Sequence, residues 1–213
     1  MNLIIVVDID GVITDLDWLK KKKKNKKAIL DLNLQSLYKF FLIKRILAAG
    51  ICFYSQRAKV RNEASEVIRD LINCGDDITI MTKRLLTNCD DNIGAKIKNL
   101  VELHLLEHDI PYHDICYTSG DKVEECLALE ADVIIEDSPK NIKALAAAGI
   151  VVICFRTPYN ENIIADNKTI FEARNWHEVY LRIEEIRKIK EKEYIKTNEE
   201  NKIEGPNLCY KIH

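Results

Sequence analysis

Leu3-Ile4-Ile5-Val6-Val7-Asp8-Ile9-Asp10-Gly11-Val12 runs five apolar residues without a break into two acids and a glycine. A run with no polar alternation reads as a strand buried on both faces, the habit of parallel sheets covered by helices on either side. Ile78 to Met81, Val133 to Ile135 and Ile150 to Phe155 are runs of the same kind, each preceded by a segment of helical period. Asp114 to Tyr117 is a weaker fifth candidate. Strand and helix alternate along the chain, so the fold class is α/β with a mostly parallel sheet.

The connecting helices carry their own punctuation. Val60, Ala64, Val67, Ile68 and Leu71 fall at helical spacing, and Gly75 stands where a left-handed cap would end that helix. Lys140 to Ala148 has Ser138 as N-cap, Pro139 at the first helical position and Gly149 beyond its end. Ser119 and Asp121 offer a similar start to a helix running to about Leu129. The connection from Thr14 to Asp77 is far longer than the ~10 to 12 residues a crossover requires, so something is inserted there. Ala58 to Asn73 supplies the crossover, and Ala28 to Ala49, rich in Leu, Ile and Phe, is a second helix of that insertion. Near the end, Trp176, Val179, Tyr180, Ile183 and Ile186 form an apolar stripe that predicts a helix docked on the core. A Lys/Glu-rich stretch follows it, and Thr197 to His213, with Gly205-Pro206, reads as a polar mobile end. The expected division is a core of residues 1–14 and 76–182, an insertion with its crossover at 15–75, and a helix end and tail at 183–213.

At 213 residues and 47% hydrophobic composition the chain can bury a full core, which excludes disorder as its overall state. Its 32 basic and 34 acidic residues leave a formal charge of −2, so no global field draws the surface to nucleic acid or to an anionic membrane. The seven cysteines, Cys52, Cys74, Cys89, Cys116, Cys126, Cys154 and Cys209, include no C-x-x-C pair and read as reduced thiols of a cytoplasmic protein. The apolar opening reaches Asp8 too soon for a signal peptide or a membrane span.

In open α/β sheets ligands bind beyond the carboxyl ends of the strands, so the polar residues that end each apolar run are the ones to collect. They are Asp8 and Asp10, then Thr82, then Lys122, then Glu136 and Asp137. Side chains two apart in an extended segment face the same way, which lets Asp8 and Asp10 converge, and two carboxylates held together call for a cation. Asp137 would complete an oxygen-rich site of the kind magnesium prefers, with waters and a phosphate in the other positions. The Thr82 hydroxyl and the Lys122 ammonium would then serve phosphoryl oxygens. Taken singly, each residue has an ordinary explanation: a turn, a helix cap, an exposed lysine, an acid at a helix N-terminus. Their succession at consecutive strand ends does not.

That ordered set resembles the four motifs of the haloacid dehalogenase (HAD) superfamily. Ile4-Ile5-Val6-Val7-Asp8-Ile9-Asp10-Gly11-Val12 is similar to its first motif and Ile78-Thr79-Ile80-Met81-Thr82 to its second. Lys122 matches the third, and Val133-Ile134-Ile135-Glu136-Asp137 the fourth. The resemblance implies a HAD-like Rossmannoid three-layer fold with a small helical cap after the first strand, and a magnesium-dependent phosphatase. It assigns Asp8 as nucleophile and Asp10 as general acid and base. Thr82 and Lys122 hold the phosphoryl group, and Asp137 binds Mg2+ with Asp8 and the Asp10 carbonyl. Glu136-Asp137-Ser138-Pro139-Lys140-Asn141, Thr157-Pro158-Tyr159-Asn160 and Asn175-Trp176 further resemble nucleotidases near the cytosolic 5′(3′)-deoxyribonucleotidases, which implies a small phosphorylated metabolite as substrate. Glu136, where many relatives have Asp, departs from the pattern and leaves open whether it touches the metal or orients the loop. Lys83-Arg84 departs as well, since a smaller residue is expected before the arginine.

Two other functions compete with this one. In a nucleic-acid end phosphatase the run Lys20 to Lys24, with Lys26 and Lys27, would track a backbone, although such a run is more often a solvated face. A non-catalytic metal- and phosphate-binding module would keep the fold without turnover. A receiver domain has its acceptor on a middle strand, and a dinucleotide-binding enzyme would need G-x-G-x-x-G in place of Asp8-Ile9-Asp10-Gly11. His104, His108 and His113 lack the partners of a zinc site and fit the exposed face and end of a helix.

Overall fold

The computed structural model describes residues 1–15, 44–46, 48–50, 58–84, 86–87, 89–118 and 120–203. The lysine run Lys20 to Lys27, most of the expected helix Ala28 to Ala49, Cys52, Ser119, Gly205-Pro206 and Cys209 lie outside the described residues. Residues 44–46 and 48–49 of that expected helix are helical, as is Gly50 after it.

Six strands form one sheet: β1 (Ile4–Asp8), β2 (Asp77–Thr82), β3 (Asp114–Tyr117), β4 (Val133–Glu136), β5 (Val152–Phe155) and β6 (Ile170–Ala173). Their order is β3-β2-β1-β4-β5-β6 and every adjacent pair is parallel. The helices are α1 (Ala64–Asn73), α2 (Asn92–Glu107), α3 (Lys122–Ala128), α4 (Pro139–Ala147) and α5 (Trp176–Ile203).

The unbroken apolar runs are explained by what lies on the two faces. Leu3, Ile5 and Val7 of the β1 region pack with α1, α2 and α5 through Ile68, Leu71, Val101, Leu105, Trp176 and Ile183. Val6, Ile134 and Val152 point the other way, onto Ile142 and Leu145 of α4 and Cys126 of α3. With helices on both sides, no face of the central strands β1, β4 and β5 is left for water and their alternating pattern disappears.

Three features depart from the sequence reading. The short edge strand β6 was not anticipated: its four residues alternate between half-buried and buried, a weak signal beside the central runs. The crossover helix starts at Ala64, not Ala58, because residues 59–61 pair with residues 13–15 through Asp15 N to Lys59 O (2.8 Å) and Arg61 N to Ile13 O (2.8 Å). That pairing makes a two-stranded neck through which the chain leaves β1 and returns. Finally, α5 continues unbroken through the Lys/Glu-rich stretch and past Thr197 to Ile203, so the expected mobile end does not begin at Thr197.

At the amino-terminal edge of the sheet α5 also acts through charge. Asp76 accepts from Leu3 N (2.9 Å) and meets Arg187 through both carboxylate oxygens (2.8 and 2.6 Å). Asp132 accepts from Ile4 N (2.8 Å) and pairs with Lys190 (2.6 Å). Two acids thus tie the start of β1 to the last helix. Among the described residues no helix is long and apolar enough to cross a membrane.

Candidate active site

The strand order reverses direction between β1 and β4, and beyond the carboxyl ends of such neighbouring strands the departing chains diverge and leave a crevice. A cleft of about 340 Å³ occupies that place, lined among others by Asp8, Asp10, Lys83, Lys122, Glu136, Asp137 and Tyr159. β1 delivers Asp8 and β4 delivers Glu136 and Asp137, and ligand atoms of these three acids lie within 4.8 Å of one another. The sequence-derived set is therefore largely brought together. Thr82 ends β2 and is fully buried, and its Oγ1 has no hydrogen-bond partner among the described residues.

Lys122 answers for the charge. It is the first residue of α3, after the Asp121 side chain that accepts from Val123 N (3.1 Å). Its Nζ lies 2.9 Å from Asp8 Oδ1 and 2.7 Å from Glu136 Oε2. Burial works against this ammonium, but the two carboxylates outweigh it and hold its pKa above the usual lysine value. One cation among three acids leaves an excess of negative charge. Burial, and then the neighbouring acids, push Asp137 above the usual carboxylate range, and burial pushes Asp8 the same way despite Lys122 beside it.

Glu136 is held by partners on both of its carboxylate oxygens. Its Oε1 accepts from Asp137 N (3.1 Å) and Ser138 N (2.9 Å), and its Oε2 from Lys122 and from Asn141 Nδ2 (3.1 Å). With both oxygens so occupied and the side chain wholly buried, Glu136 shapes the loop and holds Lys122. Asp137 differs, for its buried Oδ2 has no hydrogen-bond partner among the described residues. That oxygen stands beside Gly11, where φ is +96° and an added Cβ would fall 1.7 Å from it. Only glycine suits both the backbone angle and the approach of the carboxylate.

Asp10 is engaged elsewhere than in the acid cluster. Arg84 grips it with a two-pronged fork, Nε to Oδ2 at 2.9 Å and Nη2 to Oδ1 at 2.8 Å. The sequence marked Arg84 only as half of a basic pair, and the 74 residues separating it from Asp10 hid the contact. Its partner Lys83 lines the cleft and donates to Gly120 O (2.6 Å). His104 corrects the expectation of an exposed histidine face. It is buried on α2, its Nε2 unpartnered among the described residues, and burial, then His108 and Arg84, push its pKa down to about 4. Histidine 113 is half-exposed and accepts from Ile78 N through Nδ1 (3.0 Å).

An acid cluster with oxygen ligands alone, one unsatisfied buried oxygen and one lysine fits a hard divalent cation such as magnesium.

Comparison with known proteins agrees with this geometry. Residues 33–190 match the family described as 5′ nucleotidase, deoxy (pyrimidine), cytosolic type C protein. A "Putative 5′(3′)-deoxyribonucleotidase" of Chlorobaculum tepidum is 27% identical over 199 residues, covering 84% of this chain and 89% of that protein. A nucleotidase of Clostridium acetobutylicum is 27% identical over 185 residues, covering 84% of this chain and 92% of its own. Among solved structures, D,D-heptose 1,7-bisphosphate phosphatase from Burkholderia thailandensis aligns with a TM-score of 0.53 at 13% identity over 85% of this chain and 98% of its own. The same enzyme from B. bronchiseptica, complexed with magnesium and phosphate, gives 0.51 at 12% identity over 87% and 99%. These two likenesses are of fold.

Proposed function

The chain belongs to the cytosolic type C 5′-nucleotidase family, and from that premise we propose that it is a magnesium-dependent phosphomonoesterase acting on a nucleoside monophosphate or a similarly small phosphate ester through an aspartyl-phosphate. The observation that carries this reading is the pairing of Asp8 with Lys122 at 2.9 Å beside the unsatisfied Asp137 Oδ2, at the point where the strand order reverses.

Each residue then has a task. Asp8 attacks phosphorus, forming an oxygen–phosphorus bond as the ester bond breaks, and Asp10 passes a proton to the departing oxygen. In the second half, water loses a proton to Asp10 and displaces Asp8, releasing inorganic phosphate and restoring both carboxyl groups. Lys122 and Thr82 donate to the phosphoryl oxygens as charge builds on them, and Arg84 sets the direction in which Asp10 faces. Mg2+ held by Asp8, Asp137 and the Asp10 carbonyl would offset the charge of the acids and of the phosphate.

The test is phosphate release from nucleoside monophosphates, sugar phosphates, an aryl phosphate and a 5′-phosphorylated oligonucleotide, with Mg2+ or chelator, beside Asp8→Asn. Mg2+-dependent release from the mononucleotides that Asp8→Asn abolishes is expected. Preference for the oligonucleotide would move the reading to an end phosphatase, and no release from folded, Mg2+-loaded protein would make the chain a binding module.

A further inference from the structure

Asp137 has to be held against Gly11 by something other than the sheet, because the backbone pairing of β4 with β5 ends at Glu136 and Cys154. One step past that pair, the Asn160 side chain takes over. Its Nδ2 donates to Asp137 O (2.8 Å) and to Phe155 O (2.8 Å), while its Oδ1 accepts from Thr157 N (3.0 Å). A carboxamide has one acceptor and two donor hydrogens, one donor more than a peptide unit brings to a ladder, and here they lace two parallel strands beyond their last backbone pair. The residue itself is fixed from outside. It is 1% exposed, its N–H donates to Thr157 O (3.1 Å), and its carbonyl accepts from Arg156 Nη1 (3.0 Å) and Ile163 N (3.0 Å).

We propose that Asn160 is a positioning residue for the metal-binding loop: it sets the Asp137 backbone, and through it the unsatisfied Asp137 carboxylate, at the distance from Asp8 that a divalent cation requires. The inference rests on Asp137 being a metal ligand. Its physical content is that a ligand's outer partners decide how much of its affinity survives in the folded protein. Asn160 touches no reacting atom and acts only through Asp137. The tether also anchors the turn that carries Tyr159, which lines the same cleft.

The test is direct Mg2+ binding to the substrate-free protein by calorimetry, for wild type, Asn160→Asp and Asn160→Ser. The aspartate keeps the shape but turns an acceptor toward two carbonyl oxygens, whereas the serine brings in no charge but is too short to reach both carbonyls and leaves a gap. Both are expected to weaken Mg2+ binding about tenfold, with the KM for a phosphate ester little changed at saturating Mg2+. Val179→Ala, in the buried face of α5, serves as a destabilised control that leaves the loop alone. Asn160 variants that bind Mg2+ as tightly as wild type, or a control that loses affinity equally, would overturn the proposal. A wild type that binds no Mg2+ would overturn the metal reading along with it, so the two failures are told apart.

Discussion

The two ends of the same strands treat their acids in opposite ways. At the amino-terminal end Asp76 and Asp132 each accept from a backbone N–H of β1 and each meet a cation from α5, Arg187 and Lys190. At the carboxyl end Asp8 and Glu136 share Lys122, and Asp137 beside them keeps an unsatisfied oxygen. Balanced charge at one end serves cohesion. Unbalanced charge at the other is a demand that the proposed cation and phosphoryl group would satisfy, so groups that hold the fold are separated from those proposed to act on substrate.

The sharpest way to break the comparison is to remove one acid from each end. Asp8→Asn is expected to lower turnover by at least ~10³-fold while the metal-free melting temperature stays level or rises, because the variant relieves crowded charge. A large drop in melting temperature would mean that the upper acids hold the fold as the lower ones do. Asp76→Ala should do the reverse, costing about 3 kcal/mol by leaving the Leu3 amide without its acceptor and Arg187 with only Glu184 and the Met1 carbonyl, with kcat per folded molecule unchanged.

Acidity sharpens it further. Burial raises Asp8 and Asp137 above their ordinary value of 3.8, so the folded metal-free protein binds protons more readily than the unfolded chain does. That contribution to stability is fully present below the ordinary value and fades as pH climbs through the raised ones. Denaturant titrations without metal should therefore show this contribution lost between the ordinary carboxylate range and neutrality, and saturating Mg2+ should flatten the trend. Arg84→Met releases Asp10 and is expected to cost about tenfold in kcat, the worth of one oriented charged contact. The smallest effect belongs to Lys190→Met, about 0.5 kcal/mol and shrinking with salt, since its pair with Asp132 is partly exposed.

The sequence revealed what depends on local pattern. β1, β2, β4 and β5 were legible because burial on both faces leaves an uninterrupted apolar run, and the acids were legible because they end those runs. β6, at the sheet's edge, is short and alternating, so nothing set it apart from a loop. The fork between Arg84 and Asp10, the bond from Lys122 to Glu136 and the one from Asn160 to Asp137 were out of reach for another reason. Each joins residues whose proximity is created by the strand order, and each side chain could equally have faced solvent as far as its neighbours in sequence disclose. His104 shows the converse error, since a histidine among charged residues on a helix reads as exposed until packing buries it.

The neck between residues 13–15 and 59–61, and the sheet order around β1, bear on how the protein comes into being. The earliest of the described strands in the sequence sits at the middle of the sheet, with β2 some seventy residues and β4 some hundred and thirty residues further along. A growing chain carries the apolar strand β1, with Asp8 at its end, unpaired on one edge until residue 136 has emerged. Contacts of such long sequence separation form slowly. The centre of the sheet is thus completed late, and Asp8 meets Lys122 and the loop at Asp137 only once synthesis has passed residue 137.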